Sequence, residues 1–406
     1  DGQWVPNQYG GNQNLEAIAF FKHLNSVVLG RNQGAMMIAE ESTAWPKVTG
    51  APEDDGLGFS LKWNMGWMHD FTEYMKLDPL FRKGAHYQMT FSMEYAYSEN
   101  YILVLSHDEV VHLKCSMLNK MPGLGFDKFA NLKAAYAFMT GHPGKKLLFM
   151  GQDYGQIDEW NENASLEWDL LKYPLHKNMQ TYVRELNKLY QAHPALYEQD
   201  FETEGFEWIN CSYHEESMII FLRRGKEETL LCVCNFDNMD HEKFRLGVPF
   251  AGKYKEIFNS DAKEFGGEGR TNSRAKSSRK MEWDERENSI EIHIPPMSFM
   301  VFSCTPEEKK ESPKRLTTKK AEPKKLATKK EEPKKLTTEK KEEPKKLATK
   351  KTELKKLTAE KKEEPKKLAT AKTETHKLET TKEEPKKLAT AKTEAHKLET
   401  KKEEPK

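Results

Sequence analysis

Over the first 200 residues, helical and strand-like hydrophobic patterns take turns. Leu15, Ile18, Phe21, Leu24, Val27 and Val28 fall on one stripe at helical spacing, just after the Gly/Asn/Pro-rich opening DGQWVPNQYGGNQN. The run AMMIAEES follows, apolar until it stops at Glu40 and Glu41, as a buried strand of a parallel sheet does. After the loop TAWPKVTGAPEDDGLG comes FSLKWN, a second short strand, and then an irregular, aromatic-rich stretch through Tyr97. YILVLSHDE repeats the earlier arrangement, an apolar strand that ends in His107, Asp108 and Glu109. KFANLKAAYAFMTGHPG predicts an amphipathic helix stopped by Gly141 and Pro143, KKLLFMGQDYG a strand and loop, and HKNMQTYVRELNKLYQAHPAL a closing helix.

Strands alternating with helices, with polar residues at the strand ends, predict an α/β barrel or a doubly wound sheet over residues 1–200. From about Phe201 the texture changes to short β-rich segments between turn residues: SMIIFLRR, TLLCVCNF, KYKEIFNS and SIEIHIPPMSFMVFSC. These predict a small all-β domain over 201–305, a sandwich of antiparallel strands.

Residues 306–406 follow a third pattern, a degenerate repeat of roughly EEPKKLATKK with a period of ten or eleven. Prolines recur at Pro313, Pro323, Pro333, Pro344, Pro365, Pro385 and Pro405, and Leu is the one sizeable apolar residue type. Such a segment cannot bury enough area to offset backbone ordering, so a disordered tail is expected. The charge divides the same way. The near-neutral total of +1 hides a tail with 34 basic and 21 acidic side chains, a net of +13, on a body of net −12. All Trp, Phe, Tyr, Cys and Gly lie in the body, so only the body can build a core. A polybasic tail also suits an anionic surface or polymer as partner, beside the plainer reading of a solvated appendage.

Cys115, Cys211, Cys232, Cys234 and Cys304 form no CxxC pair and have no His at metal spacing. They read as free thiols in a reducing, cytoplasmic compartment, and no pattern requires a metal or cofactor. No run of 18 apolar residues could span a membrane.

The candidate chemistry sits at two strand ends, Glu40 after AMMIA and Asp108 after YILVLSH. In a barrel of parallel strands such ends converge on the mouth. Two carboxylates there suit work on a glycosidic bond, although capping and ordinary loop polarity explain either one alone.

The wording around these residues is more specific. MIAEES, GLGFSLKWNMGWMHDFTEYMKLDP, LSHDEVVH, KFANLKA, GKKLLFMGQDYGQ and EWNENASLEWDLL, in this order, resemble the second half of the catalytic barrel of the glycogen branching enzymes. This family belongs to the α-amylase superfamily. PNQYGGNQNLEAI and GFEWI fit the same family, so the resemblance spans residues 1–305 and none of the tail.

The resemblance implies the second half of a (β/α)8 TIM-type barrel, then a small all-β sandwich. It implies an α-glucan substrate such as glycogen or amylose, and transfer of chains cut at α-1,4 bonds to form α-1,6 branches. Glu40 matches the family's general acid/base, Asp108 the carboxylate that stabilises the transition state, and His107 the adjacent substrate-binding histidine. Glu41 and Glu109 receive no chemistry. Trp63, Trp67 and Trp160 offer flat faces for glucose rings, with burial in the core as the alternative. Two departures stand out. The family's nucleophile is an Asp at the end of the fourth barrel strand, in a motif like GLRVDAV; no such motif occurs here, and the resemblance places it upstream of Asp1. The family usually has Gly after SHDEVVH, where this chain has Leu113. The expectation is therefore a chain inactive by itself. A superfamily hydrolase, debranching or trehalose-releasing, and a non-catalytic glucan-binding remnant are the rival readings.

Overall fold

The computed structural model describes residues 4–307, so the predicted repeat tail, from residue 308 onward, lies outside the described residues. Helix α1 (Leu15–Arg31) starts at Asn14, whose side chain accepts the Ala17 N–H and so satisfies one of the free donors of the first turn. Its apolar stripe is only half covered, and Phe21 is 38% exposed. Strands β1 (Ile38–Ala39), β2 (Leu61–Trp63), β3 (Tyr101–Leu105) and β4 (Lys145–Leu148) form a parallel sheet in that order. Ala39 pairs with Lys62, Trp63 with Ile102 and Leu105 with Leu148, which brings all four C-terminal ends to one edge. Ile102 to Leu105 are buried on both faces, the reason YILVL is apolar throughout.

The stretch from Trp63 to Tyr97, irregular by pattern, contains helix α2 (Met65–Lys76) and the single turns α3 (Pro79–Arg82) and α4 (Tyr87–Thr90). Asn64 caps α2 by accepting the Trp67 N–H at 2.9 Å. After β3 come the single turn α5 (Met117–Lys120) and helix α6 (Phe126–Gly141). Every residue of α6 from Phe129 to Gly141 is buried, as befits a helix covered all round. Helix α7 (Pro174–Ala192) closes the series, with Met179, Tyr182, Val183, Leu186 and Leu189 on its buried face.

The antiparallel region contains β5 (Phe206–Tyr213), β6 (Met218–Arg224), β7 (Thr229–Asn235), β8 (His241–Val248), β9 (Gly252–Asn259), β10 (Lys276–Ser277), β11 (Asn288–Ile294) and β12 (Ser298–Pro306). Six of them form one sheet in the order β10-β9-β12-β7-β6-β5, while β8 and β11 pair as a separate ribbon. Period-two alternation divides the side chains between two cores. Ile219, Phe221, Cys232, Cys234, Phe299 and Val301 share a core with α6. Met218, Ile220, Leu222, Leu231, Val233, Met300 and Phe302 pack with Leu246, Val248, Ile290 and Ile292 of the ribbon. The single segment SIEIHIPPMSFMVFSC is two strands, parted at Met297 with φ 43°. All five cysteines are free thiols. Among the described residues, no helix is long and apolar enough to cross a membrane.

Arg223 joins these parts. Fully buried on β6, it pairs with Asp200 Oδ1 at 2.6 Å and donates to the carbonyls of Gly141, Leu196 and Gly205. Asp200 Oδ2 takes Lys145 of β4 at 2.8 Å. Burial pushes the Asp200 carboxyl upward, but Lys146, Arg223 and Lys145 outweigh it and hold the acid below its usual range. Asp200→Asn should cost about 3 kcal/mol at pH 7, since it leaves the buried Arg223 uncompensated. A carboxyl lowered on folding stabilises fully above its unfolded value, near pH 4, and loses that contribution as pH falls through the folded value. The urea-denaturation gap between wild type and variant should therefore shrink on acidification below about pH 4.

Candidate active site

The common C-terminal edge of the parallel sheet gathers most of the candidates. Glu40 directly follows β1 and is exposed. Its neighbour Glu41 is the held member of the pair: its carboxylate accepts from Thr43 N at 2.7 Å, and hydrogen bonding to Thr43, helped by nearby Lys62, lowers its pKa. Lys62, buried on β2, donates to the Thr43 carbonyl at 3.0 Å and so fixes the turn just beyond Glu40. Upstream of β3, buried Glu99 accepts the Val48 and Thr49 N–H groups and ties down the rest of this loop.

His107 and Asp108 lie in a 3-10 turn just past β3, with His107 Nε2 3.2 Å from Asp108 Oδ1 and both side chains partly exposed. The His107 ring meets Phe149 at 5.9 Å and Trp160 at 6.2 Å, and Trp160 stands edge-on to Phe149 at 5.1 Å. Trp160 thus sits beside His107. Trp63, the last residue of β2, is half-buried at the same edge.

Trp67 does not join them. The Asn64 cap starts α2 at Met65 and turns Trp67 inward, where it is 2% exposed and stacked on Phe71 at 4.5 Å. Its faces are taken up by the core, so it leaves the set of sugar-stacking candidates.

Two supports escape a reading of strand ends. Gln152 is buried between β3 and β4: its amide donates to the Leu105 carbonyl at 3.0 Å and its oxygen accepts Phe149 N at 3.1 Å, locking the two strand ends together. The Gly151 and Gly155 that flank its turn, both at positive φ, were its signal in GQDYG. Glu159 accepts the N–H groups of Cys115 at 2.7 Å and Leu113 at 3.0 Å, bonds that lower its pKa. The next residue, Trp160, donates its backbone N–H to the Val110 carbonyl at 2.9 Å. The loop after β4 therefore grips the segment that follows Asp108 through three backbone groups. The signal for Glu159 was its place beside Trp160 in DEWNENASLEW.

Within that gripped segment His112, Leu113 and Cys115 have φ of 54°, 69° and 66°. This explains the glycine expected at position 113: the left-handed conformation is costly for a residue with Cβ, and the Leu113 side chain is 96% exposed, with little packing in return. Leu113→Gly should stabilise the chain by about 1 kcal/mol, an increase of about 2 °C in the thermal midpoint. Glu159→Ala should act in the opposite sense, with faster amide exchange across residues 111–116 by hydrogen-exchange mass spectrometry. Unchanged exchange would mean that the clamp does not order this loop.

Residues 208–305 match the alpha amylase C-terminal all-beta domain family. Over 304 residues the chain is 56% identical to the 1,4-alpha-glucan branching enzyme of Butyrivibrio fibrisolvens, covering 74% of this chain and 48% of that protein. The branching enzyme of Halothermothrix orenii is 51% identical, with the same two coverages. That of Gloeobacter violaceus is 49% identical over 310 residues, 76% of this chain and 42% of the relative. Among solved structures, a cyclomaltodextrinase shares the fold at TM-score 0.50 and 17% identity, covering 71% of this chain and 43% of its own. A debranching enzyme from Nostoc punctiforme does so at TM-score 0.50 and 12% identity, covering 70% and 55%. The chain spans about half the length of the curated relatives it matches. Over about three quarters of its own length it is a homologue of the C-terminal portion of 1,4-alpha-glucan branching enzymes in the α-amylase superfamily.

Proposed function

We propose that this chain is the C-terminal part of a 1,4-α-glucan branching enzyme and supplies one of the two carboxylates of a retaining transglycosylation. One arrangement carries the reading: Glu40 and the His107–Asp108 pair follow β1 and β3, either side of β2, at the common C-terminal edge of one parallel sheet, in a sequence about half identical to branching enzymes. In this reading residues 1–200 are the second half of a (β/α)8 barrel and 201–305 an all-β sandwich. The tail, 306–406, offers net positive charge to an anionic partner. The free thiols suit a cytoplasmic setting.

In this reading the chemistry divides between the chain and a segment outside it. A carboxylate outside this sequence attacks the anomeric carbon of an α-1,4-linked glucose while Glu40 donates its proton to the departing 4-oxygen. The C–O bond breaks, and the glycosyl group is held as an ester. Glu40, now a carboxylate, then removes the proton from the 6-hydroxyl of an acceptor glucose. That oxygen displaces the ester to form an α-1,6 bond, and no water is consumed. Asp108 stabilises the positive charge that develops on the sugar ring, and His107 binds a hydroxyl beside it. Phe149 and Trp160 limit where the His107 ring can go.

Residues 1–406 alone should therefore leave amylose unbranched, with no shift of the iodine spectrum and no new α-1,6 linkages. Branching by the isolated chain would overturn the assignment of the nucleophile to another segment. Joined to an N-terminal segment that carries the nucleophile, the chain should branch amylose, and Glu40→Gln or Asp108→Asn should lower that activity by at least about 100-fold. Release of reducing ends without new branch points would instead establish a hydrolase.

A further inference from the structure

A second aromatic site lies on the all-β part, outside the strand-end edge. Trp283 and Arg286 face each other across a two-residue hairpin turn, and the central residues Asp284 and Glu285 have φ of 50° and 57°. A turn with both central residues left-handed favours Asn-Gly; an Asp-Glu pair there stores strain that the surroundings must offset. Asp284 is held three times. Its carboxylate accepts from Asn210 Nδ2 at 2.8 Å, Tyr213 Oη at 2.6 Å and Gly247 N at 2.8 Å. Gly247 permits this approach, because a Cβ there would stand 2.3 Å from the Trp283 carbonyl oxygen.

The same network fixes the indole. Trp283 Nε1 donates to Tyr213 Oη at 3.2 Å, and the Tyr213 ring is braced edge-on against Phe244 at 5.3 Å. Trp283 nevertheless remains 43% exposed. Arg286 is anchored by Glu207 at 2.6 Å and by the Trp208 carbonyl at 2.9 Å. An aromatic ring held by its N–H edge, partly wet and rimmed by guanidinium, amide and carboxylate, suits a hexopyranose. The sugar's CH face lies on the indole and its hydroxyls reach the rim. The ordering of the ring is already met by the scaffold, so little entropy is lost on binding.

We propose that the Trp283–Arg286 hairpin tip is a non-catalytic binding site for an α-glucan chain, with the Trp283 indole as its platform. The ligand class rests on the substrate proposed above; the site itself rests on the hairpin geometry. The test is native electrophoresis of the 406-residue chain through gels containing glycogen. Wild type should be slowed. Trp283→Ala should raise the apparent dissociation constant about fivefold and Trp283→Phe no more than about twofold. Glu40→Gln/Asp108→Asn should remain slowed. As a measurement independent of any variant's folding, maltoheptaose should slow amide exchange of the wild-type segment 279–289. Equal mobility of Trp283→Ala and wild type, no retardation of wild type, or unchanged exchange in 279–289 would overturn the site. None of these outcomes bears on the branching assignment, which is decided by linkage analysis of the joined enzyme.

Discussion

The buried pair of Arg223 and Asp200 is the contact on which the rest of the structure depends. Arg223 leaves β6 toward α6 and reaches carbonyls at the end of that helix, after α7 and before β5. Asp200 passes the connection on to Lys145 of β4. One charge pair thus ties the parallel sheet, the helix behind it and the antiparallel sheet. A buried ion pair is weak evidence of net stabilisation, because desolvation takes back most of its attraction. Its stronger effect is on geometry: three carbonyls and the Lys145 ammonium meet at one guanidinium and carboxylate, and few relative placements of the segments satisfy them all. Gly141 belongs to the same junction, since a Cβ there would stand within about 3 Å of the Phe299 and Phe221 rings.

That fixed frame matters at the opposite end of β4. Leu148 is in register with Leu105, and Gln152 then bonds both strand ends, so the placement of β4 is transmitted to the turn that bears His107 and Asp108. Glu159 and Trp160 continue the same loop over the far side of that turn. The His107–Asp108 segment is therefore held from beneath by strand pairing and from above by backbone hydrogen bonds. Such second-layer support is what a binding group needs to keep a fixed orientation.

The strands with long apolar runs were legible in the sequence because burial on both faces leaves a continuous signal, as in YILVL, MIIFL and LLCVC. Helix α2 was not, since its buried positions (Trp67, Met68, Phe71, Thr72, Tyr74 and Met75) include polar and aromatic types within an already aromatic-rich stretch. The same helix explains Trp67. Sequence gives the residue a flat face, but the Asn64 cap decides which way that face turns. Strand β8 escaped notice because its first half, HEKFR, is exposed or only half-buried on a ribbon and carries too little apolar pattern. Glu40 and Asp108 were marked by position after apolar runs, while their roles came from resemblance. Glu159 and Gln152 act through backbone groups of other loops, and contacts of that kind leave almost no periodic trace.

The two carboxylates differ in what holds them. Asp108 follows a five-residue strand paired on both sides and is clamped by a second loop. Glu40 follows a two-residue strand at the sheet edge, and among the described residues β1 pairs only with β2. The backbone groups on the other side of β1 are open, and the apolar stripe of α1 is half bare. Acid–base catalysis demands that the donor sit within hydrogen-bond reach of the oxygen it serves, so a loosely held edge is a poor place for it. In the proposed barrel the strand before β1 bears the nucleophile. The same strand would pair the open edge and set the position of Glu40. On that reading the preceding strand supplies more than a second carboxylate: it also completes the support of the first, so both members of the proposed pair depend on it.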